Sequence, residues 1–156
     1  MQKTLIIIKP DAVQRRLIGD IIKRFEDKGL QILGLKMMCI SESLARQHYS
    51  IHKGKDFYEP LIRYVTSGPV VLVALKGKNV IEVTRKMMGT TFGADAQPGT
   101  IRGDYAVSNR FNLIHGSDSE SSAEKEINTF FATTELVEYE AMDLSWIYDM
   151  STGTIV

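Results

Sequence analysis

His115 is the residue of this chain best equipped for chemistry. It closes the run RFNLIH at 110–115 and is followed at once by the small polar residues GSDS at 116–119. Phe111, Leu113 and Ile114 predict a short strand over 111–115, and the residues behind it predict a turn that opens the next helix. A histidine at a strand's end can meet a ligand, and an imidazole there can act as nucleophile or general base, because its unperturbed pKa is about 6.5. Glu126 lies on the following helix, where it either reaches back to hold the imidazole in one tautomer or pairs with Lys125 on a solvated face. Asn112 stands three residues before His115, and strand alternation puts the two on opposite faces unless the chain bends between them.

The other candidate groups are basic or aromatic. Lys9 ends the first strand, Arg85 lies on a helix that runs into a long loop, and Arg102 lies within PGTIRGD of that loop. The chain has neither a G-x-x-x-x-G-K-[ST] loop nor a G-x-G-x-x-G fingerprint, so phosphate binding would fall to side chains instead of a glycine-rich nest. His48 and His52 have the i, i+4 spacing of a metal pair, yet no H-E-x-x-H or cysteine cluster accompanies them, and surface histidines with no protein metal site are the expectation. Tyr49 and Phe57 flank the same region as packing residues or as a stacking platform. These residues leave three classes open. One is an enzyme that uses His115 on a phosphorylated substrate. Another is a ferredoxin-like RNA-binding module, which would lack the usual aromatic-rich motif and basic excess. The third is a hydrolase built on His115 and Ser117 without a G-x-S-x-G elbow.

Composition narrows the setting. The chain has 156 residues, 44% hydrophobic and 24% charged, which is enough for one domain over 1–156 to bury a core without disulfide or metal staples. Its 19 basic and 19 acidic residues cancel, which argues against a dedicated nucleic-acid or membrane-surface partner. Cys39, the one cysteine, sits in the apolar run LKMMCI and reads as a small core residue of a protein in a reducing compartment. The first apolar run, Leu5 to Ile8, is stopped by Lys9-Pro10-Asp11 and is too short for a signal peptide or a membrane span, so a cytoplasmic location is expected.

These groups need elements to position them. TLIIIKP predicts a buried strand stopped by Pro10, and LIGDIIKRFEDKG a helix with Leu17, Ile18, Ile21, Ile22 and Phe25 on one face and Gly29 as its stop. LQILGLKMMCI is a second strand, residues 43–66 one or two short helices, and PVVLVALKG a third strand. Asn79 is expected to cap the helix VIEVTRKMMG. Residues 89–110 show no period, and a loop that long is usually functional. A helix from about 121 to 131, with Ser121-x-x-Glu124 as a capping box, and Trp146, Ile147 and Tyr148 pinning the tail complete the series. The order predicts an α/β sandwich of ferredoxin-like β-α-β-β-α-β type, an antiparallel sheet with a helical insertion.

NLIHGSDS at 112–119 resembles the active-site signature N-x-x-H-G-S-D of nucleoside diphosphate kinases, and TLIIIKPDAV, SGPVV, PGTIRGDYAV and SAEKEI resemble further segments of that family in the expected order. The likeness extends from residue 3 to about 148. It implies that His115 takes the γ-phosphoryl group of a nucleoside triphosphate on Nδ1 and passes it to a nucleoside diphosphate in ping-pong fashion, with broad base specificity. It further implies that Glu126 accepts from the other ring nitrogen and that Ser117 supports this carboxylate. Arg85, Thr91 and Arg102 would bind phosphates, Tyr49 and Lys9 would lie near the transferred group, Phe57 would stack on the base, and Lys9 with Asn112 would hold the ribose. Mg²⁺ would arrive on the nucleotide phosphates. The family resemblance also implies a homo-oligomer, a hexamer with a tetramer as the alternative. Many members carry Asn-Pro where this chain has Phe92-Gly93, which predicts a less stable higher assembly. The tail DMSTGTIV departs from the family as well, and nothing in its sequence suggests a role.

Overall fold

The structure is a computed structural model that describes every residue except Thr154 and Val156. Four strands, β1 (Gln2–Ile8), β2 (Gln31–Cys39), β3 (Pro69–Gly77) and β4 (Ile114–Gly116), form one antiparallel sheet in the order β2-β3-β1-β4. Helices α1 (Pro10–Gln14) and α2 (Ile18–Asp27) connect β1 to β2, and α5 (Val80–Met88) leads from β3 toward β4. The insertion between β2 and β3 holds α3 (Glu42–His48) and α4 (Tyr58–Val65), and α7 (Glu120–Phe130) follows β4. This is the expected ferredoxin-like arrangement.

The apolar run of β1 is continuous because both faces of the sheet are covered. Ile6 and Ile8 join Val71, Val73 and Leu75 under α2 and α5, where Ile21, Phe25 and Val80 pack. Leu5 and Ile7 alternate to the other face with Leu72 and Ala74, against Ala45, Ile62 and Ile127 of α3, α4 and α7. All four of these β1 residues are fully buried, so the central strand is a rigid base for whatever its ends carry.

Several local expectations are corrected. Asn79 stands at the start of α5 in the left-handed region, φ 50°, and its side chain makes no capping bond; it turns the chain out of β3, a conformation asparagine tolerates. The cap of α7 is Ser119, which accepts from the Ser122 N–H, so the helix begins two residues before the Ser121 box. Residues 89–110 are not wholly irregular, because Thr100 accepts from the Gly103 N–H and caps a short helix α6 (Ile101–Tyr105). Cys39 is exposed, since it ends edge strand β2 on the same outward face as Leu35 and Met37. In the last short helix, α8 (Leu144–Ile147), Trp146 is 90% exposed. The tail is held instead by Tyr148, whose Oη accepts from the Lys78 N–H, and by Ile147 against Gly29. Tail residues 149–156 include the two that lie outside the described residues.

The predicted strand at 111–115 starts only at Ile114, because Leu113 has φ 71°. That non-glycine strain is held from three sides. The Leu113 N–H donates to Asp11 Oδ2 at 3.2 Å, its carbonyl accepts from the Lys9 N–H at 2.8 Å, and Tyr64 Oη donates to the other oxygen of Asp11.

Close packing also dictates a glycine in α6. A Cβ at Gly103 would lie 1.8 Å from the Gln97 carbonyl oxygen, a backbone atom that cannot swing away. Gly103→Ala is expected to destabilise the fold by ~3 kcal/mol or more, read as a lowered urea midpoint at unchanged slope.

Candidate active site

Pairing of β4 with β1 places His115 opposite Ile7, and the left-handed Leu113 resolves the alternation conflict by turning the chain between Asn112 and His115. Both side chains then line one cleft of about 820 Å³ between the helical insertion, α5, α7 and the loop after α5. Lys9, Tyr49, Phe57, Arg85, Thr91, Arg102 and Glu126 line it too. Ser117 does not, because it lies fully buried behind the cleft wall.

The geometry at His115 assigns its protons. Its Nε2 is 3.1 Å from Glu126 Oε2 and Ser117 Oγ donates to the same oxygen at 2.6 Å. Burial pushes the Glu126 carboxyl up, but hydrogen bonds from His115 and Ser117 outweigh it and hold the pKa below the ordinary value. An ionised carboxylate can only accept, so Nε2 carries the proton and Nδ1 of the neutral ring is left with a free lone pair. Ser117 is itself tied to β1, since its Oγ accepts from the Leu5 N–H at 3.1 Å.

The basic residues divide into anchored and free. Lys9 Nζ donates to Asn112 Oδ1 at 2.7 Å, and Asn112 Nδ2 donates in turn to the Thr91 carbonyl at 2.9 Å. Burial, with Arg102 nearby, pushes the Lys9 amine down to about 7. The Arg102 guanidinium is largely spent on the backbone: Nε donates to the Asn112 carbonyl, Nη1 to those of Gly89 and Thr90, and Nη2 to that of Ile114. One N–H on Nη2 remains for a ligand, so Arg102 chiefly fastens the loop at 89–90 to the approach of β4. Burial and the neighbouring Arg85 lower its pKa to about 10, which leaves it charged at neutral pH. Arg85 is exposed and hydrogen-bonds to no described residue, with the Asp118 carboxylate close enough to feel its charge.

Three of the four buried polar side-chain atoms without a partner among the described residues belong to this cleft: Tyr49 Oη, His48 Nε2 and His52 Nδ1. Buried polar groups normally find partners, so these three leave the cleft with unmet hydrogen-bonding capacity. Burial pushes the Tyr49 phenol well above its usual range, keeping it a neutral donor. Phe57 is 48% exposed and offers a ring face at the mouth. His48 and His52 do not pair with each other as the i, i+4 spacing suggests. His48 turns its ring edge-on to His115, centroids 5.0 Å apart, while His52 stacks on Tyr49.

Sequence reasoning missed Asp11, Tyr64 and Asp118, which also serves the cleft wall. The KPD triplet at 9–11 carried a usable signal for Asp11, which sits two residues from Lys9. No local pattern marks Tyr64.

The half-buried His48 gives a pH dependence of stability. Burial and His115 push its imidazole down to about 3, so the folded protein keeps it neutral while the unfolded chain takes up a proton below about 6.5. Stability from this group is intact above pH 6.5 and is lost as pH falls toward 3, by up to ~1.4 kcal/mol per unit. Between pH 7 and pH 5, His48→Phe should therefore gain about 1–2 kcal/mol relative to the unsubstituted protein in urea unfolding.

A sequence model of the nucleoside diphosphate kinase family matches residues 2–136. The nucleoside diphosphate kinase of Roseiflexus sp. (strain RS-1) is 54% identical over 149 residues, 96% of this chain and all of that one. That of Thermosynechococcus vestitus is 51% identical over 150 residues, again 96% of this chain and all of the relative. Among solved structures, a halophilic nucleoside diphosphate kinase from Halobacterium salinarum in complex with CDP superimposes with a TM-score of 0.93 at 45% identity, covering 95% of this chain and 99% of that one. A nucleoside diphosphate kinase family protein from Babesia bovis gives 0.91 at 39% identity, covering 95% and 100%. The family model covers most of the chain, the relatives match it over nearly its whole length, and the chain belongs to the nucleoside diphosphate kinase family.

Proposed function

We infer that Nδ1 of His115 is the atom that carries the phosphoryl group in transit. The protein is a nucleoside-diphosphate kinase, transferring the γ-phosphoryl group of a nucleoside triphosphate to a nucleoside diphosphate through a phosphohistidine. The observation that carries the residue assignment is the hydrogen bond between His115 Nε2 and the ionised Glu126, which leaves Nδ1 unprotonated. In the first half-reaction that lone pair forms a P–N bond as the bond from the γ-phosphorus to the bridging oxygen breaks, and the nucleoside diphosphate leaves. Positive charge develops on the ring, and the Glu126 carboxylate, 3.1 Å away, stabilises it without taking the proton. The second half-reaction reverses these steps: a terminal phosphate oxygen of the acceptor attacks phosphorus, and the P–N bond returns its electrons to Nδ1. One cleft serves both substrates in turn, hence ping-pong kinetics.

The remaining roles follow from position. In a loose phosphoryl transition state charge collects on the peripheral oxygens, so fixed donors supply most of the rate. Tyr49 Oη, buried and unpartnered, donates to the transferring group; Arg85, Thr91 and the spare N–H of Arg102 hold the flanking phosphates. An arriving polyphosphate restores the charge on Lys9, whose bond with Asn112 sets a donor pair for the ribose hydroxyls. Phe57 stacks on the base, and because every base has a π-face the recognition tolerates purines and pyrimidines alike, at roughly 1–3 kcal/mol. Magnesium carried on the nucleotide phosphates would neutralise charge at the transferring group. The donor set fits that role: the Asp118 carboxylate, kept ionised chiefly by its hydrogen bond with Ser122, is a hard-oxygen donor on the cleft wall.

Residues 1–156 work as one domain in this reading, in the cytoplasm; among the described residues no helix is long and apolar enough to cross a membrane. A homo-oligomer is supported by edge strand β2, which exposes Leu35 and Met37 beyond the point where the Val137 N–H donates to the Leu33 carbonyl. We propose a hexamer, with a tetramer as the alternative, weakened by Phe92-Gly93. Gly93 lets the loop close on Ala106, where a Cβ would meet the Ala106 Cβ at 2.6 Å, and the φ restriction of a proline is absent.

Incubation with ATP and magnesium but no acceptor should add one acid-labile phosphoryl group by intact mass, discharged by GDP and absent in His115→Gln. An adduct in His115→Gln, or none in the unsubstituted protein, would refute the assignment. Sedimentation over a dilution series should show dissociation into smaller oligomers; a species that stays hexameric at nanomolar protein refutes the weakened assembly.

A further inference from the structure

We propose that His48, His115 and Glu126 together form a binding site for a borderline-soft divalent cation of the zinc type, filled in competition with phosphorylation of His115. One ring nitrogen from each histidine and one carboxylate oxygen of Glu126 lie within 4.8 Å of one another. His48 Nε2 is buried and has no partner among the described residues, so an imidazole nitrogen with unmet bonding capacity stands beside the nucleophile. Its ring is fixed in that place by edge contacts to Tyr49 and Phe130, with centroids 4.3 and 5.1 Å away.

The donor set selects the ion. Two imidazoles and one carboxylate are a zinc ligand set, at metal distances near 2.0–2.2 Å, and a fourth position stays open toward the cleft. Tetrahedral coordination at those distances puts ligand atoms roughly 3.4 Å apart, so the widest separation, up to 4.8 Å, must contract by up to about 1.4 Å. Small rotations of the His115 ring and the Glu126 side chain, which are joined to each other by one hydrogen bond, can supply that movement. Magnesium prefers six oxygens in an octahedron and gains little from two nitrogens, so it does not compete here. Bound at His115 Nε2 beside Glu126, a zinc-type ion displaces the proton onto Nδ1 and removes the lone pair that the phosphoryl step needs, whereas the ring phosphorylated on Nδ1 keeps its Nε2 proton against Glu126 and offers the ion no lone pair. The site therefore couples free metal to the fraction of enzyme able to accept phosphate. The competing event rests on the kinase reading, whereas the metal site itself does not.

Nucleotide-free protein should be titrated with Zn²⁺ by calorimetry and with Co²⁺ by visible absorption, which reports tetrahedral nitrogen-containing sites. One equivalent per chain is expected, with affinity reduced at least tenfold in His48→Phe and in His115→Gln and retained in His52→Phe. No saturable binding, undiminished affinity in His48→Phe, or loss confined to His52→Phe would overturn the proposal. Should His48→Phe fail to fold by circular dichroism, phosphorylated protein freed of nucleotide replaces it. Its zinc stoichiometry should fall, and an unchanged value overturns the site. A failed kinase reading shows itself separately, as the absence of any phosphoryl adduct.

Discussion

The hydrogen bond from His115 Nε2 to the ionised Glu126 is the contact on which the site depends. A neutral imidazole has one proton and two nitrogens, and its usefulness as a nucleophile rests on which nitrogen is bare. Burial alone would favour a protonated Glu126, and a neutral carboxyl could donate to the ring and reverse the tautomer. The His115 contact itself is the larger counterweight, and Ser117 adds to it by donating to Oε2 at 2.6 Å while held in turn by the Leu5 N–H of the fully buried central strand. The most rigid element of the fold thereby sets the protonation of its most reactive atom.

A second chain of contacts sets distance. Leu113 adopts a strained left-handed conformation, and it does so because Asp11, Lys9 and Tyr64 hold its peptide groups between β1 and α4. That strain turns Asn112 and His115 toward one cleft. Arg102 fastens the same stretch from the other side through the carbonyls of Asn112 and Ile114 while also gripping Gly89 and Thr90. A guanidinium used mostly as a backbone clamp gives the cleft a stiff wall.

The same geometry explains why the cleft holds unpartnered polar atoms. Desolvation keeps His48 neutral and Tyr49 protonated, and neither Tyr49 Oη nor His48 Nε2 has a protein partner. A pocket preorganised for a polyanion carries unmet hydrogen-bonding capacity until the ligand arrives. That capacity suits a phosphoryl group, and in the same place it suits a metal ion that prefers imidazole nitrogen.

The sequence by itself was enough for the family and for the order of the strands and main helices. Those are carried by local signals: the N-x-x-H-G-S-D motif and the period of apolar residues in β1 and α2. It misread features that depend on what packs nearby. Asn79 is a turn residue and not a cap, Cys39 is exposed because β2 is an edge strand, and Trp146 faces outward although Tyr148 is bound. Only the tertiary structure decided that Leu113 bends the chain, that Arg102 spends its donors on carbonyls, and that His48 faces His115 instead of His52. Each of those outcomes joins residues far apart in the chain, and a side chain's direction and protonation follow from the burial and partners that such contacts create, which no local pattern encodes.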